Sequence, residues 1–336
     1  MKRVRIVLLS ALTFCTGLPG AGQVPELLQD DQSAANLSSQ LSNLLLDAAS
    51  VAEVERAIAQ QDYQSAEKIL VEEAKRDPRS KRSAKILVIA GDVFFLDGQY
   101  LNAAIAWKKS EVITSLDDRS RFTLAMAYIR LNKREWARPE LEKLAAERPQ
   151  NPRYLYWLAR LDYDARNYTS AMDRLKTVIE LDPKMARAYD TLGLCYDYLG
   201  RFDEAVANFD RAIELNRLQA KPSPWPHVDL ANTLIALNRL TDAEKNLLGA
   251  IEYDQRLPQA HYQLGRVLEM QGRYQDALDS LKAAVTLAPD YADPHYLLAR
   301  VYHRLDDEPK SKAEIARYQE LKKAAERPAA TAAVKP

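Results

Sequence analysis

Cysteine is scarce in this chain of 336 residues: there are two, Cys15 and Cys195. At most one disulfide can form, which excludes a cystine-stapled scaffold and any four-cysteine zinc site. Glycine is also sparse, at ten residues, and no run of alternating β-branched residues marks a strand. Net charge is absent too, with 47 basic residues against 47 acidic ones, so no global charge directs the chain to nucleic acid or to an anionic membrane surface. No Gly-rich phosphate loop, His-Glu-x-x-His or Cys-x-x-Cys motif occurs. His303 has no Ser and acid at catalytic spacing, and acid pairs such as Asp117-Asp118 and Asp306-Asp307 fall at turns, where helix capping explains them. No catalysis, no cofactor and no metal site is expected.

What the chain has is helical periodicity. In residues 186–216, Tyr189, Leu192, Gly193 and Tyr196 form one stripe of a 3.6-residue helix. Gly200-Arg201 makes a turn, Asp203 and Glu204 place negative charge at the next helix N-terminus, and Ala205, Phe209 and Ala212 form a second stripe. Small residues at Gly193, Ala205 and Ala212 let two helices approach closely, with Phe209 between them. One such hairpin buries too little to stand alone and needs neighbours like itself.

The chain supplies them. Counting Ala186 as position 1, the unit from Pro152 places Leu155, Leu158, Ala159, Ala171, Leu175 and Pro183 at positions 4, 7, 8, 20, 24 and 32. The unit from Asp118 has Leu124, Ala125, Tyr128, Ala137, Leu141 and Pro149 in register, and that from Ala84 has Leu87, Gly91, Phe94, Ala103 and Trp107. Downstream, the Pro258 unit has His261, Leu264, Gly265, Leu268, Ala277, Leu281, Ala284 and Pro289. This pattern over residues 47–325 resembles the tetratricopeptide repeat. The resemblance implies an all-α, right-handed superhelical solenoid of about eight antiparallel helix-turn-helix hairpins, with units starting near 47, 84, 118, 152, 186, 224, 258 and 292.

Outside the repeats, Lys2, Arg3 and Arg5, an apolar core from Ile6 to Phe14, and Pro19-Gly-Ala-Gly read as a secretory signal over residues 1–22. Its apolar core is shorter than the ~20 residues of a spanning helix. The expected location is therefore periplasmic or secreted, the alternative being an envelope protein anchored by an uncleaved N-terminal segment. Cleavage would leave Cys195, a packed thiol. A polar lead and capping helix are expected over 23–46, with Leu37, Leu41, Leu44 and Leu45 at helical spacing, and a disordered tail over 326–336. Between the 186 and 224 units the step is 38 rather than 34, and Lys221-Pro-Ser-Pro-Trp-Pro226 fills it. The joint at 217–226 is expected to be a softer seam, showing Trp225 either as a packing residue or as a secondary contact.

His227, His261 and His295 recur every 34 residues at position 4. Stacked helices lie about 8–10 Å apart, whereas zinc-bound nitrogens sit ~2.1 Å from the metal, so equivalent positions cannot share one. The resemblance implies that first helices line a concave groove. Positions 2, 5, 9 and 12 point away from the packing stripe. Position 2 reads Arg119, Arg153 and Arg187; positions 5 and 9 read Tyr156 and Arg160, Tyr262 and Arg266, Tyr296 and Arg300; position 12 holds Tyr163 and His303. Tyr and Arg are the residues enriched at binding hot spots. These eleven residues are the expected partner-binding surface, those at positions 5 and 9 being expected to contribute little to hairpin packing. The family's peptide clamp, Lys at position 5 with Asn at position 9, occurs in no unit. The expectation is a non-catalytic scaffold in the cell envelope holding a protein or peptide partner, with no nucleic acid and no membrane insertion of the mature chain. The alternative is an accessory binder of an anionic polymer or glycan through the Arg rows.

Overall fold

The computed structural model describes residues 48–326. The expected signal at 1–22, the lead and capping helix at 23–46, and residues 327–336 of the expected tail lie outside them. Among the described residues the chain forms sixteen helices and no strand. They are α1 (Ala48–Ala59), α2 (Tyr63–Arg76), α3 (Lys81–Leu96), α4 (Tyr100–Glu111), α5 (Asp118–Arg130), α6 (Arg134–Glu147), α7 (Pro152–Asp164) and α8 (Tyr168–Leu181). There follow α9 (Ala186–Tyr198), α10 (Phe202–Asn216), α11 (Trp225–Ala236), α12 (Leu240–Tyr253), α13 (Pro258–Met270), α14 (Tyr274–Leu287), α15 (Ala292–Arg304) and α16 (Glu308–Glu326). Taken two at a time they make eight hairpins, the all-α repeat architecture expected from the sequence.

Each hairpin turns in the same way. Gln61, Gly98, Asn132, Arg166, Gly200, Asn238, Gly272 and Asp306 all have left-handed backbone, with φ between 57° and 77°. The following amide bonds back across the turn, as Gln99 N does to Phe94 O (2.8 Å) and Arg201 N to Tyr196 O (2.9 Å). This αL ending satisfies carbonyls that the helix C-terminus leaves open. Asp117 and Ser80 cap α5 and α3 by accepting from the amides of Ser120 and Ser83, and Pro152 and Pro258 open α7 and α13, where a missing N–H costs nothing.

The two helices of a hairpin meet through position 8 against position 24. A Cβ built on Gly91 would lie 2.5 Å from Trp107 Nε1, one on Gly193 2.7 Å from Phe209 Cε1, and one on Gly265 2.6 Å from Leu281 Cγ. These distances are below contact, so glycine stands there because the facing side chain occupies its Cβ volume.

The described residues divide into two compact units, 48–140 and 141–326, and the break falls within α6 one residue after Pro139. In the first, Leu70, Ile86, Ile89 and Val93 join α2 to α3 in a buried cluster. Arg121, 3% exposed, lies between Glu111 (2.7 Å) and Glu140 (2.6 Å), so its buried charge is matched on both sides. In the second unit one cluster runs from Ala205 and Phe209 through Leu230 and Leu264 to Val301. On either side of the joint at 217–226, expected to be a softer seam, α10 and α11 share that cluster. Buried Asn216 also clamps the connector, donating to Ser223 O (2.7 Å) and accepting from Ser223 N (2.9 Å). Trp225 packs, half-buried, against Val228, Ala250, Leu257 and Ala260. The four extra residues thus form a turn tied by Asn216 to Ser223.

Candidate protein-interaction surface

In the first unit Arg119 reaches back to Asp92, Nη2 to Oδ2 at 3.6 Å. Asp92 is 2% exposed, and burial pushes its carboxyl up to about 7, against the pull of the Arg119 charge.

The second unit holds the other expected contact residues, and it joins some between repeats and others along one helix. The Arg187 guanidinium lies over the Tyr156 ring at 4.9 Å, and that of Arg160 over Tyr163 at 5.5 Å. Tyr156 is only 6% exposed and belongs to the core cluster with Ala188 and Leu192 of the next first helix. Its hydroxyl faces Thr191 Oγ1 at 3.5 Å. Tyr262, half-buried, packs against the large cluster and meets Tyr291 edge-on at 5.3 Å. The expectation that position 5 adds little to packing is corrected for both. A first helix in a stack is covered by its own second helix and by the next first helix, so its buried arc exceeds one stripe.

The remaining residues are more open. Tyr296 is 45% exposed and sits 5.3 Å from Tyr318 of α16. Arg266 is half-buried and Nη1 points at Gln263 Oε1 at 3.4 Å, while Arg300 Nη2 donates to buried Glu269 Oε1 at 2.7 Å. His303 is exposed and pairs with Glu308, and Arg153 is half-buried at the start of α7. Tyr262, Arg266, Tyr296 and Arg300 do sit on adjacent first helices, α13 and α15. The Arg residues do not form a row of available cations, since Arg119, Arg160 and Arg300 have Asp92, Asp164 and Glu269 as partners. Nor do the three recurring histidines converge: His227 pairs with Asn246 (3.0 Å), His261 with Gln255 O (2.9 Å) and His295 with Glu314 (2.6 Å).

The centre of this face is acidic, which the Tyr and Arg rows did not reveal. Arg160 Nε lies 3.5 Å from Asp164 and acts electrostatically on Asp190 of α9 and Asp229 of α11. Burial raises the Asp190 carboxyl well above its usual range, with Arg160 opposing the rise. Asp229 is raised further by burial and by the charges of Asp190 and Asp197. Asp197 accepts from Thr233 Oγ1 at 2.6 Å, and burial raises it as well. Beside them Tyr163 meets Tyr168 edge-on at 5.7 Å, and Tyr168 lies 4.1 Å from the exposed ring of Tyr198. Cys195 is fully buried nearby, its thiol pushed up to about 12 by burial, which makes it a packing residue and not a nucleophile. Asp190 and Asp197 occupy positions 5 and 12 of their unit, so the same positional logic, applied to every residue type, would have reached them.

An array of helical hairpins with a polar, aromatic layer on its first helices defines an interaction scaffold. Tetratricopeptide repeat models match residues 228–292 and 268–333, and the model of anaphase-promoting complex, cyclosome, subunit 3 matches residues 140–212. Anaphase-promoting complex subunit 3 of Schizosaccharomyces pombe is similar at 26% identity over 158 residues, 45% of this chain. The chain spans 22% of the length of that relative. Among solved structures, a tetratricopeptide repeat protein from Parabacteroides merdae superposes with a TM-score of 0.63 at 17% identity, over 78% of this chain and 99% of that one. PilW, a type IV pilus biogenesis factor, superposes with a TM-score of 0.56 at 19% identity, over 62% and 98%. The chain is a tetratricopeptide repeat protein. Proteins of this family are generally non-catalytic scaffolds for protein or peptide partners. Among the described residues no helix is long and apolar enough to cross a membrane.

Proposed function

We propose that this protein is a non-catalytic scaffold of the cell envelope, exported by its first 22 residues, that holds a partner polypeptide on the first-helix face of residues 141–326. One observation carries the reading. On α7, α9 and α11 a layer of charged side chains, Arg160, Asp190, Asp197 and Asp229, stands outside the apolar clusters, and Asp190 there has a buried oxygen with no hydrogen-bond partner. Packing of the repeats does not call for that layer; contact with another chain does. The basic n-region, apolar core and small-residue site of residues 1–22 support export, and PilW offers a parallel of repeat architecture in a pilus biogenesis factor.

A photo-crosslinking residue placed at Tyr198 should capture a polypeptide in intact cells, while one at Lys245 on α12 should not. Equal capture at both positions would refute the assignment of the face. N-terminal sequencing of the mature protein tests the location: a start near Gln23 supports export with cleavage, and a start at Met1 supports the anchored form.

A further inference from the structure

The centre of that face has a chemical bias, and its direction selects the partner. Four carboxylates, Asp164, Asp190, Asp197 and Asp229, come from three consecutive first helices; Arg160 pairs with Asp164 and acts on Asp190 and Asp229, and Arg187 lies over Tyr156 on the same face, so acids outnumber cations. Beyond this imbalance there is an independent deficit of hydrogen-bond donors. Asp190 Oδ1 on α9, Asn232 Oδ1 on α11 and Gln259 Oε1 on α13 each expose less than 1 Å² and have no partner. All three are acceptors; elsewhere on the first helices of this unit the donor Trp157 Nε1 and His295 Nε2 are also without a partner. Buried acceptors in native proteins are almost always satisfied, so three on successive first helices of one face mark where donors are missing. Alongside them runs the aromatic series Tyr163, Tyr168 and Tyr198, whose last ring is 57% exposed.

Resting on the interaction reading above, we infer that this face is a docking site for a basic segment of a partner polypeptide, with an arginine or lysine inserted between Asp190 and Asp229 beside Arg160. Arginine and lysine are donor-only side chains that carry the missing charge, and the tyrosine faces accept the same cations. The rest of such a segment supplies backbone N–H groups, which suit the neutral acceptors Asn232 and Gln259. A metal ion does not fit: among the described residues no group of His, Cys, Asp or Glu is close enough to hold one. An anionic ligand would add to the charge already in excess.

The test uses the full-length protein and two fluorescein-labelled nonapeptides of alternating serine and arginine, one of them with citrulline replacing each arginine. Citrulline keeps the shape and loses the charge. The arginine peptide should bind at least about tenfold more tightly than the citrulline peptide, and Asp190→Asn with Asp229→Asn should abolish that preference. Neutralising two exposed acids of α8 instead, Asp173→Asn with Glu180→Gln, should leave it intact. Lack of preference, or equal loss in both double variants, overturns the proposal. Circular dichroism of each variant checks that it is folded. The crosslink at Tyr198 separates the two levels of the argument. An adduct whose captured peptide contains arginine or lysine, and which disappears in the Asp190→Asn, Asp229→Asn variant, supports the site. An adduct that persists unchanged in that variant overturns the basic-segment inference and leaves the scaffold reading standing. No adduct from Tyr198 or Arg187 removes both.

Discussion

Replacing Gly193 by alanine adds one carbon atom, and its destination is known. It would lie 2.7, 2.8 and 3.0 Å from three atoms of the Phe209 ring, and that ring is fully buried, with no open side toward which to swing. Overpacking of this kind costs about 1–3 kcal/mol, whereas the helix propensity gained by removing a glycine returns about 1 kcal/mol. Because several contacts fall below van der Waals distance against a locked ring, the upper part of the range applies. Gly193→Ala should destabilise by about 1–2 kcal/mol even though alanine is the better helix former. Phe209→Leu alone should also destabilise by about 1–2 kcal/mol, since it leaves space opposite a residue with no side chain. Together the two recreate the pair that α7 and α8 use, Ala159 and Leu175, both fully buried in one cluster. The double variant should therefore be more stable than the sum of the singles by about 1 kcal/mol or more. Urea unfolding followed by far-UV circular dichroism, compared at unchanged slope, gives all four corners of the cycle. Additivity within about 0.5 kcal/mol, or a Gly193→Ala variant more stable than the parent, would refute size matching at positions 8 and 24.

Asp92 offers a pH test: its carboxyl is raised from 3.8 to about 7 by burial, so its favourable, protonated contribution is complete below 3.8 and is lost as pH rises through 7. Asp92→Asn should accordingly gain stability over the parent at pH 8, by of order 3 kcal/mol, and gain little at pH 4; an equal difference at both would contradict the assignment. Arg166 holds a left-handed φ of 62° at its turn, where Gly200 and Gly272 stand in other hairpins. Arg166→Gly should raise the urea midpoint by an amount worth roughly 0.5–1 kcal/mol, and a lowered midpoint would mean that the arginine side chain has a role the turn does not explain. Asn216→Ala should cost about 1–3 kcal/mol by leaving the connector's amide without its partner, and should speed tryptic cleavage after Arg217, at the start of the connector. Unchanged cleavage there would show that the clamp does not hold the connector.

The repeat was legible because packing positions are constrained in the same way in every copy. Small residues at 8 and 20, a large one at 24 and a turn residue at 15 recur from one hairpin to the next, and recurrence is visible in a sequence. The tied joint was not legible. Three prolines suggest stiffness or exposure, but the two hydrogen bonds between Asn216 and Ser223 depend on a fold-back that local sequence does not specify. The burial of Tyr156 was missed for a different reason. Helical periodicity identifies the side of α7 that faces α8, and it is silent about the neighbouring first helix, whose Ala188 and Leu192 complete the pocket for that ring.

The acidic centre escaped a search by recurrence because it does not recur. Position 5 holds Tyr156, Tyr262 and Tyr296 in three other hairpins and Asp190 in this one. The fold therefore does not require a carboxylate there; a tyrosine at this position packs well, as Tyr156 does. A half-buried Asp190, its Oδ1 shut off from water, beside Asp229 opposes folding through desolvation and mutual repulsion, with Arg160 to offset both. Groups that weaken the folded state without serving its packing concentrate where a protein meets something else. In a repeat array this gives a division of labour along the sequence: residues that repeat build the stack, and residues that break the repeat on its first helices distinguish one partner from another. Asp190, Asp229 and Asn232 belong to the second group, and the charge of what they meet is opposite to that of the two carboxylates.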